Sequence, residues 1–103
     1  MSNHANSEER GRLTAGLREL ADFLDRNPEV PAPWRADLLV FPADGPDAEM
    51  LAEVDAIAGQ IGVTASADGS PRGHYSAVRR FGPVQYRAVA IPHSARGDET
   101  REG

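Results

Sequence analysis

Apolar residues recur at Leu13, Leu17, Leu20, Ala21 and Leu24, the spacing of one face of a helix. The pattern predicts a helix opening at Ser7, read as the N-cap, with Glu8 and Glu9 in the first turn, where the helix dipole favours acids. Asn27-Pro28 ends it, with Asn27 expected as a left-handed cap. Three prolines between Pro28 and Pro33 favour an extended connector. Leu38, Leu39, Val40 and Phe41 are consecutively apolar, which predicts a central strand over Asp37–Phe41 covered on both faces. A second helical stripe runs through Met50, Leu51, Val54, Ile57, Ala58 and Ile61 and stops at Gly62. Val63–Ala67 alternates like a short strand. Asp68–Gly73 is turn chemistry, and His74–Phe81 and Val84–Ile91 are strands joined at Gly82-Pro83, a hairpin signal.

The order helix, strand, helix, strand, strand, strand predicts an α+β fold. In it two helices pack on one face of a mainly antiparallel sheet of about four strands. The expected domain covers residues 7–92, with 1–6 and 93–103 as flexible tails. Leu17, Leu20, Leu24, Leu39, Val54, Ile57, Phe81 and Tyr86 are the expected shared core.

Alternation within the hairpin sorts its side chains. If Gly82-Pro83 is a two-residue loop, Phe81 pairs with Val84. One face then holds Tyr75, Ala77, Arg79, Phe81, Val84, Tyr86, Ala88 and Ala90. The other holds His74, Ser76, Val78, Arg80, Gln85, Arg87, Val89 and Ile91. The first is the more apolar and is expected to meet the helices, with Arg79 reaching out at the edge or pairing with a helix acid. His74, Arg80, Gln85 and Arg87 then point outward, and the diagonal pair Arg80 and Arg87 is close enough to share one phosphate or carboxylate. The opposite assignment would expose Tyr75, Phe81 and Tyr86 as a stacking platform of the kind used by single-stranded nucleic-acid binders.

Charge sharpens this picture. Residues Gly69 to Gly97 contain five arginines (Arg72, Arg79, Arg80, Arg87, Arg96) and no acid, so they carry +5 in a chain of net −5. Segregation of this kind marks a surface suited to an anionic partner. Every basic residue other than histidine is arginine, a planar fork adapted to bidentate oxyanion contacts. Solvated strand positions must also be polar, and charge on an edge strand discourages aggregation, so solubility alone accounts for such a pattern too.

Other chemistry finds little support. With 103 residues the chain forms one small domain, and without cysteine it has no disulfide, thiolate metal site or thiol nucleophile. That composition suits a reducing cytoplasm. The polar start is unlike a signal peptide, and no apolar run is long enough to span a bilayer. His4, His74 and His93 lack the paired spacing of a zinc site. Asp44–Asp47 lacks the ligand ladder of a calcium loop, and Gly69–Gly73 lacks the Gly-Lys-Ser/Thr of a phosphate loop. Ser76 has His74 two residues away but no third partner and no nucleophile elbow. No catalytic residue and no cofactor is therefore expected.

Leu17-Arg18-Glu19-Leu20-Ala21-Asp22-Phe23-Leu24-Asp25, Asn27-Pro28, Pro31-Ala32-Pro33 and the run from His74 to Val84 together resemble a type of small protein found in actinobacteria and their phages. The similarity spans about Leu13 to Pro92. It implies an intracellular protein associated with a phage or mobile element, and it transfers no catalytic residue.

The leading expectation is a small non-enzymatic binding module. Its basic hairpin (Arg72, His74, Arg79, Arg80, Gln85 and Arg87) would contact nucleic acid or an acidic protein surface. The alternative is an assembly protein that pairs through an exposed strand edge with a second copy or a partner chain, its arginines serving solubility.

Overall fold

The computed structural model describes residues 4–67 and 73–92. The chain is α+β, with elements in the order α1 (Ser7–Arg26), β1 (Ala36–Val40), α2 (Asp47–Ile61), β2 (Ser66–Ala67), β3 (Tyr75–Phe81) and β4 (Val84–Ala90). The strands form one sheet in the order β1-β4-β3-β2. Its β2–β3 and β3–β4 pairs are antiparallel, and β1 joins β4 in parallel. Contacts divide the chain into two compact units, one from His4 to Trp34 and one containing everything described from Arg35 onward.

The first unit is built on α1. Asn6, not Ser7, is its N-cap. Asn6 Oδ1 accepts from the Glu9 backbone N–H at 2.8 Å, and Glu9 Oε1 accepts from the Asn6 N–H at 2.9 Å. This reciprocal box needs an acid three residues after the cap. Glu9 meets that spacing from Asn6, whereas Ser7 would find Arg10 there. Asn6 thus belongs to the helix rather than to a loose tail.

At the other end Asn27 adopts φ −129°, not a left-handed conformation. Its side chain stops the helix instead, with Nδ2 donating to the Phe23 carbonyl at 2.8 Å and satisfying one of the open terminal carbonyls. Surface pairs Arg12–Glu8 (3.5 Å) and Arg26–Asp22 (3.6 Å) brace consecutive turns. None of α1 is buried, and Leu13, Leu17, Leu20 and Phe23 are exposed. Leu17 and Leu20 therefore stand outside the core expected for them.

The second unit has its core between α2 and the sheet. Met50, Val54, Ile57 and Ala58 of α2 are buried against Ala77, Ala88 and Ala90. Alanines on the strands let the helix backbone approach closely, and Val54 is fully enclosed. Leu51, Ile61, Val40, Tyr75 and Tyr86 seal the margin. Gly62 ends α2 at φ 77°, its N–H donating to the Ala58 carbonyl, a left-handed turn that glycine adopts without steric cost.

β1 is an edge strand, not a central one. Only its alternate residues Leu38 and Val40 turn toward the α2 side, where they are half-buried. Leu39 lies on the other face at 53% exposure, and Phe41 beyond the strand is also exposed. Phe81, expected in the core, is exposed beside the hairpin turn. Among the described residues, no helix is long and apolar enough to cross a membrane.

Candidate anion-binding face

The Gly82-Pro83 turn organises the basic residues. Gly82 takes φ 62°, and Phe81 pairs with Val84 across a two-residue loop. Pairing then runs Arg80 with Gln85, Val78 with Arg87, and Ser76 with Val89. Parallel pairing of β1 sets Asp37 beside Gln85 and Leu39 beside Arg87. The face opposite α2 is therefore a series of rows. The row nearest the turn is Asp37, Gln85 and Arg80. The next is Leu39, Arg87 and Val78.

Exposure is graded along these rows. Arg80 and Leu39 are open, Arg87 and Val78 are half-buried, and Val89 and Ser76 are buried at the far end. Polar chemistry thus concentrates at the turn end. Gln85 is buried, and its Oε1 accepts from Arg87 Nη2 at 3.2 Å. That bond fixes the Arg87 guanidinium toward the row that holds Arg80. Arg35, just before β1, reaches Asp37 at 3.2 Å. Asp37 thus carries one ion pair, with Arg35, and sits in the same row as Gln85 and Arg80. Both Arg35 and Asp37 lie outside the acid-free stretch. Their arrival depends on the β1–β4 register, for which no local sequence signal exists.

The other candidates are placed differently. Arg79 lies on the α2 side, where its Nη1 donates to the Ile61 carbonyl at 3.1 Å and its guanidinium sits 5.1 Å from the Phe81 ring centroid. It reaches out, exposed, along the part of β3 that β2 does not pair, and it meets a helix carbonyl rather than a helix acid, because the open carbonyls at the end of α2 are within its reach and attract a cation. His74 immediately precedes β3 and is half-buried. Arg72 lies outside the described residues, as do His93 and Arg96.

Tyr75 and Tyr86 line the α2 core, so the two tyrosines do not form a stacking platform. The Tyr75 hydroxyl donates to Asp55 Oδ1 at 2.5 Å. That bond raises the phenol pKa above 10.0, with partial desolvation and repulsion by the Asp55 charge adding to it. Among the described residues, no three histidine or carboxylate side chains are grouped to hold a metal ion.

What the arrangement can do chemically is hold an oxyanion. Two guanidinium forks are available, one pre-set by an amide, and an apolar flank lies at Leu39 and Val78. No protein-family model, curated protein or solved structure matches this chain.

Proposed function

We propose that this chain is a small non-enzymatic binding module that takes an anionic partner at the turn end of the sheet face opposite α2. The observation that carries the reading is the shared placement of Arg80, Gln85 and Arg87 on the face opposite α2, with Arg87 oriented by Gln85. An acidic protein segment suits this face better than a nucleic acid. Leu39 and Val78 offer apolar contact beside the arginines, whereas the tyrosines that would stack on bases are committed to the core.

The test is fluorescence anisotropy at low salt with a labelled acidic peptide and with labelled single- and double-stranded oligonucleotides. Arg80→Ala/Arg87→Ala is expected to weaken peptide binding about tenfold, the effect of losing two partly exposed charge contacts. Binding of oligonucleotide but not peptide would shift the reading to phosphate recognition. Binding of neither would overturn it.

A second reading rests on a separate observation. Among the described residues the outer edge of β1 pairs with no strand, and Leu39 and Phe41 are exposed along it. An open edge of this kind supports strand addition by a second copy or a partner chain, within a phage- or mobile-element-associated assembly if the sequence resemblance holds. Proline at position 39 would abolish such pairing while leaving Arg80 and Arg87 in place.

A further inference from the structure

We infer that the protein segment taken at this anion site carries a phosphorylated side chain, its oxygens shared among Arg80, Arg87 and the amide N–H donors of Gln85; the inference rests on the function proposed above. Gln85 is nine-tenths buried, and its Oε1 is taken by Arg87 Nη2 at 3.2 Å. The two N–H donors on its Nε2 meet no acceptor among the described residues. A buried donor left unpaired costs free energy, and an acceptor that arrives with a ligand accounts for one held at a binding face.

Charge and donor number select a dianion over a carboxylate. Asp37 is already paired with Arg35 at 3.2 Å, so those two charges offset each other. Arg80 and Arg87 then leave a surplus of positive charge on this face. They are diagonal neighbours, about 7–8 Å apart at the backbone, a span that two long side chains close around one phosphate. Arg80 has no acceptor among the described residues, and Arg87 keeps the N–H groups it does not give to Gln85. A glutamate or aspartate side chain brings one negative charge and a planar pair of oxygens, which a single guanidinium fork matches. A phosphoserine brings a charge of about −1.5 to −2 at neutral pH and three acceptor oxygens. Two forks and an amide are filled by the second and only in part by the first.

The flank points to a peptide as the carrier of that phosphate. Leu39 and Val78 share the row of Arg87, where they suit an apolar residue beside the phosphoserine. A free phosphate ion has nothing to place on them. A nucleic acid would set its next phosphate or sugar there, at a cost in desolvation, and would find Tyr75 and Tyr86 turned to the α2 core instead of offering rings to its bases.

The experiment is fluorescence anisotropy on the full chain at one low salt concentration. The probes are a labelled peptide with one phosphoserine beside leucine and its counterparts with glutamate or unmodified serine at that position. The phosphoserine peptide should bind about tenfold tighter than the glutamate peptide, and the serine peptide more weakly than either. Arg80→Gln, at an exposed position, removes one charge and should narrow that preference to about twofold. Gln85→Leu should narrow it as well, with the urea midpoint checking that the buried substitution leaves the fold intact. Inorganic phosphate should displace the phosphopeptide only when in large excess. Glutamate binding as tightly as phosphoserine, or a preference that survives unchanged in Arg80→Gln, would overturn the inference while an acidic partner stood. Displacement by inorganic phosphate at equal concentration, or tighter binding of a labelled oligonucleotide, would overturn it in favour of the free ion or of nucleic acid. Binding of none of these probes would overturn the anion site itself.

Discussion

Arg79 on β3 donates to the Ile61 carbonyl at the end of α2, tying strand to helix across 3.1 Å. The two residues are 18 apart in sequence, so the bond closes the β2 connection on itself. Ile61 offers one of the carbonyls that a helix C-terminus leaves open, and the guanidinium supplies both a hydrogen bond and a compensating charge. Arg79 is exposed, which limits its worth. Arg79→Ala is expected to cost about 0.5–1 kcal/mol in urea unfolding, and Arg79→Lys less. Gly62→Ala, forced to hold φ 77° beside it, should cost about 1–2 kcal/mol. Equal stability of wild type and Arg79→Ala would remove the contact from the fold's support.

The small core predicts a sharp contrast between two hydrophobic truncations. Val54 is fully enclosed between α2 and the strand alanines. Val54→Ala removes two methyl groups and leaves a cavity, for about 2 kcal/mol. Leu20→Ala, at an exposed position, should change the stability by less than about 0.5 kcal/mol. Ala88→Leu should cost about 1–3 kcal/mol through overpacking, because α2 lies directly on that alanine. Denaturation midpoints of the three variants check the order.

These contrasts show where sequence reasoning reached and where it stopped. The α2 stripe and the hairpin register are local: helix period, Gly62, Gly82-Pro83 and strict alternation sit within a few residues of what they determine. The assignment of Arg80, Gln85 and Arg87 to one face follows from that alternation alone. Four apolar residues in a row at Leu38–Phe41 read as a central strand, yet β1 is an edge. The pairing that makes it so joins residues almost fifty positions apart and is decided by how α2 lies on the sheet. The carboxylate of Asp37 beside Gln85 depends on that same pairing. In α1, periodicity revealed an apolar face but not its occupant, since a stripe of leucines specifies only that something apolar covers it.

The Tyr75–Asp55 bond makes a titration prediction. Folding holds the Tyr75 phenol protonated, raising its pKa above the unfolded value of 10.0. The stabilising contribution is then fully present below pH 10 and lost as pH rises through the folded value. In a Tyr86→Phe background, ultraviolet titration of the one remaining tyrosine should show its midpoint shifted upward. Asp55→Asn should move that midpoint back toward 10.0, since it removes the strongest acceptor and the repelling charge together. An unmoved midpoint would mean the hydrogen bond is not maintained in solution.

The last prediction separates orientation from charge at the anion-binding face. Gln85 carries no charge, so Gln85→Leu leaves the electrostatic field of Arg80, Arg87, Arg35 and Asp37 intact while removing the oxygen that Arg87 Nη2 donates to. Salt dependence reports how many charges are neutralised, with a slope of about −0.7 per phosphate contact for a single strand. Affinity at fixed salt reports in addition how well the forks are pre-set. Gln85→Leu should therefore weaken binding of the acidic peptide about three- to tenfold, the worth of one preorganising hydrogen bond, with the log–log salt slope unchanged. Asp37→Asn should do the opposite, strengthening binding at low salt by removing the competing carboxylate and steepening the slope. Arg80→Ala and Arg87→Ala should each flatten it. If Gln85→Leu and Arg87→Ala flattened the slope equally, the glutamine would be acting on the number of contacts rather than on the orientation of one, and the geometry assigned to Arg87 would be wrong.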